Sequence, residues 1–178
     1  MPIYTGRGDT GKTDLFDASR ISKAAPRIEA YGTVDELNAL LGTVIPTSHD
    51  DIDEQLVQIQ QDLHVIQAQL ADPSNAPETP QIAEEAVDRL EAWVDDANDE
   101  LEPLTSFILP GGSGAGSRLH HARAVSRRAE RRVVALIEEL DDGAIEPVVY
   151  LNRLSDLLFT LARLVNSLEG HTERHPRY

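Results

Sequence analysis

Five stretches of the chain repeat aliphatic residues at intervals of three and four, and none sustains the alternation of a strand. That spacing lines one face of a helix, so it constrains the fold more than any other feature of the sequence. Ala30, Val34, Leu37 and Leu41 predict a helix over about 28–45, ended by Pro46, Thr47 and Ser48. Ile52, Leu56, Ile59, Leu63, Ile66 and Leu70 predict a second over about 51–70. Asp72 to Pro80 holds three prolines and reads as a connection. Ile82, Ala86, Leu90 and Val94 mark a third helix, with a solvated acidic face from Glu84 to Glu100. Pro103 precedes a short apolar strip, Phe107-Ile108-Leu109, and Pro110 to Gly116 reads as a flexible loop. A fourth helix is predicted over about 117–140 from Leu119, Ala122, Ala129, Val133, Leu136 and Leu140, ended by Asp141-Asp142-Gly143. A fifth is predicted over about 147–168 from Leu151, Leu154, Leu158, Leu161, Val165 and Leu168. The predicted fold is all-α: an antiparallel bundle of five helices in one domain spanning 1–178. Residues 1–27 stand apart as a glycine-rich loop and irregular arm, and 170–178 as a loose polar tail.

Charge and composition narrow the function. The chain carries 31 acidic and 16 basic residues, a net charge of -15, which argues against non-specific binding to nucleic acid or anionic membrane. With no cysteine there is no disulfide, thiolate metal site or thiol nucleophile. No apolar run is long enough to cross a bilayer and no signal-peptide succession opens the chain, so a soluble cytoplasmic protein is expected. The basic residues are 14 Arg and 2 Lys, and an acidic, lysine-poor surface of this kind suits a halophilic cytoplasm.

Four constellations carry chemistry. In Thr5-Gly6-Arg7-Gly8-Asp9-Thr10-Gly11-Lys12-Thr13, glycines let backbone amides converge on an anion, while hydroxyls and basic groups add donors. GRGDTGKT meets the bare P-loop spacing, but no apolar strand precedes it and no clear helix follows. A polyphosphate-binding loop of another architecture is expected; a surface loop whose glycines only make turns is the alternative. On the fourth helix Arg123, Arg127 and Arg131 share a face beside Arg128 and Arg132, with Glu130 able to pair with Arg127. Guanidinium groups suit phosphate oxygens, and equally suit salt bridges to the many carboxylates. On the fifth helix Asn152 and Asp156 stand four apart, extended by Phe159 and Arg163. Asp156 could share Mg²⁺ with phosphate oxygens, or belong to a polar network between helices. On the first helix Asp35 and Asn38 follow Gly32, and Asp35 is placed to pair with an arginine of helix four. The histidines form no zinc set: His120 and His121 point apart on a helix, and His64 stands alone.

Taken in order, YTGRGDTGKTDLF (4–16), RIEAYGTVDELNALLG (27–42), FILPGG (107–112), HARAVSRRAERR (121–132) and YLNRLSDLLFTLAR (150–163) resemble the PduO-type ATP:cob(I)alamin adenosyltransferases. The segment from 50 to 100 contributes little to the likeness. The resemblance implies a five-helix bundle of the cobalamin adenosyltransferase type. It implies a homotrimer with active sites between subunits, binding ATP, Mg²⁺ and cobalamin or a corrinoid precursor. Thr5, Gly6, Gly8, Asp9, Thr10, Gly11, Lys12 and Thr13 would wrap the phosphates of ATP. Lys23 and Arg27 would extend that site, and Arg127, Glu130 and Asn152 would contact the nucleotide. Asp35 and Arg123 resemble an intersubunit ion pair important for the corrinoid. Phe107 resembles the aromatic set against the lower cobalt face, where it excludes the axial ligand; core packing is its plain alternative. Arg128, Arg153 and Asp156 are weaker assignments to the same region. One departure is Gly6, where the family usually carries a bulkier, often basic, residue. The implied reaction is attack of cobalt(I) on the 5′ carbon of ATP with loss of triphosphate, after a cobalt(II)-reducing flavoprotein has acted. A nucleotide-binding bundle without turnover and a different nucleotide transferase or phosphatase are the competing functions.

Overall fold

Each helix forms where a buried aliphatic stripe coincides with a local start signal. In the computed structural model, which describes residues 4–140 and 144–178, α1 spans Pro26–Gly42 and α2 spans Asp50–Ala71. The others are α3, Glu84–Asp99, α4, Gly114–Leu140, and α5, Glu146–Leu168. Proline opens α1 and α5, where its missing N–H costs nothing and its fixed φ suits the first turn. Acidic residues open α2 with Asp50, Asp51 and Asp53, facing the positive end of the helix dipole. The predicted terminator Asp141-Asp142-Gly143 lies outside the described residues.

The predicted stripes are the core. Those of α1, α2 and α5 are buried throughout except Leu168, which is exposed at the end of α5. Val94 is only partly buried, and Leu140, the last residue of α4, is exposed. Two starts differ from expectation. Ile82 is buried but precedes α3, and α4 begins at Gly114, so the glycines at 114 and 116 are helical rather than loop.

Helix α4 packs on α5 and α1, α1 on α2, and α3 on α5. Side-chain pairs give the directions. Arg27 meets the carbonyl of Leu70 and Asn38 that of Gln60, so α1 and α2 run antiparallel. Glu36 meets Arg128 and Glu29 meets Arg132, which does the same for α1 and α4. Ser113 meets Asn166 and Ser126 meets Leu151, which does it for α4 and α5.

One buried polar junction joins three helices. Asp62 on α2 accepts from the Tyr150 hydroxyl on α5 at 2.9 Å and from Arg89 on α3 at 2.6 Å. Burial, with Asp62 beside it, pushes the Tyr150 phenol well above its ordinary range, so it stays a donor.

The N-terminal arm is not irregular. Strands β1, Lys12–Asp14, and β2, Arg20–Ser22, form a small antiparallel hairpin with Thr13 opposite Ile21. Three residues per strand are too few for an alternation pattern to register, which is why the sequence reads as loop. No helix among the described residues is long and apolar enough to cross a membrane.

Candidate functional site

The arm's phosphate-loop candidates sit in two successive turns that lead into β1. The amide of Asp9 donates to the carbonyl of Gly6, and that of Gly11 to the carbonyl of Gly8. Gly6 and Gly11 hold φ of 69° and 75°, left-handed values that only glycine takes without strain. Asp14 accepts from Arg7 at 3.0 Å and lies 3.5 Å from Arg20, so Arg7 works within the hairpin. Thr5, Gly6, Asp9, Thr10, Gly11 and Lys12 are exposed, and Gly8 and Thr13 are half-buried. Lys23 comes close: its amide donates to the carbonyl of Gly11, and a Cβ on Gly8 would meet its Nζ at 3.0 Å. One short hairpin thus gathers Thr5 to Thr13 with both lysines. Arg27 is not with them. It is half-buried at the start of α1, where one guanidinium nitrogen donates to the carbonyl of Leu70. Burial draws its pKa down, opposed by Asp72 and Asp17.

The arginines of α4 divide into two sets. Arg128 pairs with Glu36 at 2.6 Å and Arg132 lies 3.6 Å from Glu29, so these two serve the α1–α4 contact. Such exposed pairs are worth about 0–1 kcal/mol each. Arg123, Arg127 and Arg131 have no carboxylate partner among the described residues. Arg131 donates to the backbone carbonyl of Arg127. Arg127 does not pair with Glu130 as its spacing allowed. Glu130 instead accepts from Asn152 at 3.0 Å across the α4–α5 contact. Asp156 is held by Arg153 at 3.2 Å, and Arg153 also reaches Glu91 at 2.8 Å.

Arg123 and Arg127 face an open cleft of about 390 Å³, lined also by Phe159, Asp156, Arg163 and Leu104. The Arg123 guanidinium lies 6.0 Å from the centre of the Phe159 ring, while its buried Nε has no partner. His120 is buried beside the same ring, 6.0 Å between centroids. Burial, helped by the Arg123 charge, pushes the His120 imidazole below its ordinary value, so it is neutral near pH 7. A cleft with two guanidinium groups that have no carboxylate partner among the described residues can take an anion beside its single aromatic ring, Phe159.

Asp35 does not meet helix four within the chain. It is exposed on α1 and unpaired among the described residues, whereas its neighbour Glu36 makes the contact with Arg128. Phe107 is 82% exposed, so core packing within the chain is ruled out as its role. The arm and α4 share no hydrogen bond or ion pair among the described residues.

The second glycine-rich segment is pinned rather than flexible. Asn166, a buried amide on α5, accepts from the Ser113 amide and donates to the Gly111 carbonyl, both at 2.8 Å. A Cβ on Gly112 or Gly116 would collide with that amide. The tail is likewise docked: Glu173 binds Arg163, the Arg174 carbonyl accepts from the Leu109 amide, and His175 reaches Phe107. Sequence reasoning missed Asn166 and the tail. The available signal for Asn166 was an amide directly after Leu164-Val165 on the leucine-rich fifth helix.

The model of one family, cobalamin adenosyltransferase, matches residues 3–165. The corrinoid adenosyltransferase PduO of Salmonella typhimurium is 48% identical over 170 residues, covering 94% of this chain and 50% of its own length. The chain therefore spans about half the length of that relative. The corrinoid adenosyltransferase of Mycobacterium tuberculosis is 46% identical over 170 residues, covering 92% of this chain and 88% of the relative. A variant of the PduO-type ATP:corrinoid adenosyltransferase of Lactobacillus reuteri, solved with cobalamin and ATP, shares the fold with a TM-score of 0.91. It is 35% identical and the match covers 99% of this chain and 97% of that one. With its motifs, its five helices and these likenesses in agreement, the chain belongs to the cobalamin adenosyltransferase family.

Proposed function

We propose that the protein transfers the 5′-deoxyadenosyl group of ATP to the cobalt(I) of a corrinoid, forming adenosylcobalamin and releasing triphosphate. The observation that carries this reading is the pair Arg123 and Arg127. Neither has a carboxylate partner among the described residues, in a chain with 31 acidic residues, and both face a cleft shared with Phe159. The cobalt supplies the electron pair of the new bond, and the broken C–O bond leaves its pair on triphosphate. The chain needs no nucleophile of its own. Its residues align and neutralise. Lys12, Lys23 and the amides of Gly6 and Gly8 hold the triphosphate, Arg127 adds charge as it departs, and Glu130 with Asn152 orients the nucleoside. Phe107, exposed and free of core contacts, lies against the lower corrin face and keeps an axial ligand away.

No group of three or more His, Asp or Glu able to hold a metal occurs among the described residues. A Mg²⁺ carried on ATP needs few protein oxygens, and the exposed Asp9 in the phosphate loop fits that need. The ion would lessen the charge of the leaving triphosphate.

The working form is a homotrimer. Arg123 and Asp35, each without a charged partner among the described residues, meet across subunits, and the exposed Tyr4 and Phe16 are covered there. A flavoprotein supplies the electron to cobalt(II) in a salt-rich cytoplasm, where screening relieves the net charge of -15. Mixing the protein with cob(I)alamin and ATP tests the reaction. The expected result is the absorbance of a light-labile cobalt–carbon bond, with one triphosphate released per bond. Hydrolysis of ATP without that product supports the phosphatase reading, and binding without turnover the passive bundle. Sedimentation in molar KCl is expected to give about three times 19.6 kDa; a fully active monomer would reject the shared site.

A further inference from the structure

Phe107 has no core to set its ring, so its position depends on the backbone that carries it. That backbone is tied to the C-terminal tail. The Leu109 amide donates to the Arg174 carbonyl at 2.7 Å in a single antiparallel bridge. His175 Nδ1 stands 3.0 Å from the Phe107 carbonyl and 2.9 Å from the Ser106 hydroxyl. With its proton on Nδ1 the ring donates to the carbonyl; with it on Nε2 the same nitrogen accepts from the hydroxyl. Either tautomer fastens His175 to the dipeptide that ends in Phe107.

The tail is itself anchored. Arg163, only 6% exposed on α5, binds the Glu173 carboxylate through Nε. Its Nη2 donates to the Glu102 carbonyl at 2.9 Å. One buried side chain therefore grips both the beginning of the Phe107 segment and the tail that crosses it. An arginine with fixed donors is suited to such a double hold, because its planar fork loses little freedom per bond made. Arg163 also lines the cleft of Arg123 and Arg127, so the anchor and the ligand cleft share one wall.

We propose that residues 173–175 form a strap for Phe107, with Glu173 and His175 as positioning residues for the corrinoid reaction. The strap acts through Phe107 and touches no reacting atom. It rests on the reading of Phe107 given above. Without it, the segment keeps its anchors at Glu102 and Gly111 but loses the contacts at Ser106, Phe107 and Leu109, and the ring samples positions away from the cleft.

The test compares His175→Ala, Glu173→Gln and Phe107→Ala in the full chain with bound ATP. Amide exchange by mass spectrometry reads the segment directly. Exchange over residues 106–109 should quicken about tenfold in the two strap variants, and the thermal midpoint of His175→Ala should stay at the wild-type value. Electron paramagnetic resonance of added cobalt(II) corrinoid reads the consequence. The four-coordinate signal should fall and the five-coordinate signal rise in all three variants. His175→Asn, whose amide can take the place of Nδ1, should restore both readouts. If only Phe107→Ala loses the four-coordinate signal, Phe107 keeps its role and the strap is rejected. If Phe107→Ala leaves the signal unchanged, the role of Phe107 falls first and takes the strap's function with it. Unchanged exchange in both strap variants also overturns the proposal.

Discussion

Two glycine-rich segments of this chain read alike and are built for opposite ends. In the arm, Gly11 has open space around it and takes a left-handed φ of 75° to turn the chain. At the head of α4, Gly112 and Gly116 leave room for the Asn166 amide, and a methyl group at either would strike it. The first segment uses glycine to turn the chain; the second uses it to bring two elements together. The arm is therefore a part that can meet a ligand without disturbing the bundle. The second segment is part of the bundle's construction, and it fixes the C-terminal end of the span that carries Phe107.

Substitutions can separate these two uses. The largest effect expected is on ligand handling, from Arg127→Ala or Lys12→Ala. A hydrogen bond to a charged group contributes roughly 1.5–3 kcal/mol, so ATP use should fall by at least about tenfold. Both side chains are exposed, so thermal unfolding should not move. Titration calorimetry beside thermal melts checks the pair, and a drop in melting temperature with intact ATP binding would reverse their assignment.

Gly116→Ala should do the opposite. Overpacking against Asn166 costs about 1–3 kcal/mol, read as a lower denaturant midpoint. Asn166→Ala should cost a similar amount, since it strands the Ser113 amide and the Gly111 carbonyl. If Gly116→Ala is as stable as the parent, the segment is not welded and the contrast with the arm collapses.

Gly11→Ala is a finer probe. Holding a non-glycine residue at that φ costs roughly 1–2 kcal/mol, confined to the arm. A several-fold weaker ATP affinity is expected with an unchanged melting temperature.

The smallest effect is the pH dependence of the welded end. His120 has its pKa lowered in the fold by burial and by Arg123. The unfolded chain then binds the proton more readily, with a pKa near 6.5. Stability should be full above that value and decline as pH falls below it toward the folded value. Denaturant midpoints between pH 7.5 and 5.5 measure this limb, and His120→Gln should flatten it. Stability that rises on acidification through the same range would contradict the assignment.

The five helices were legible in the chain's own spacing, because an aliphatic stripe at intervals of three and four is a local property. The sequence also carried the family, since YTGRGDTGKTDLF, FILPGG and the arginine block stand in order along it. It could not tell which arginines of α4 are spent. Arg127 and Arg128 are neighbours in the chain, yet only Arg128 reaches Glu36, and that depends on where α1 crosses α4. Nor could it tell that residues 110–116 are held, because Asn166 lies some fifty residues away along the chain. The tail looked loose for the same reason: the Phe107 segment, which His175 meets, is remote from it in the chain. Local spacing specifies which face of a helix is buried, whereas a hydrogen bond between distant residues exists only after the helices have set the distance between them.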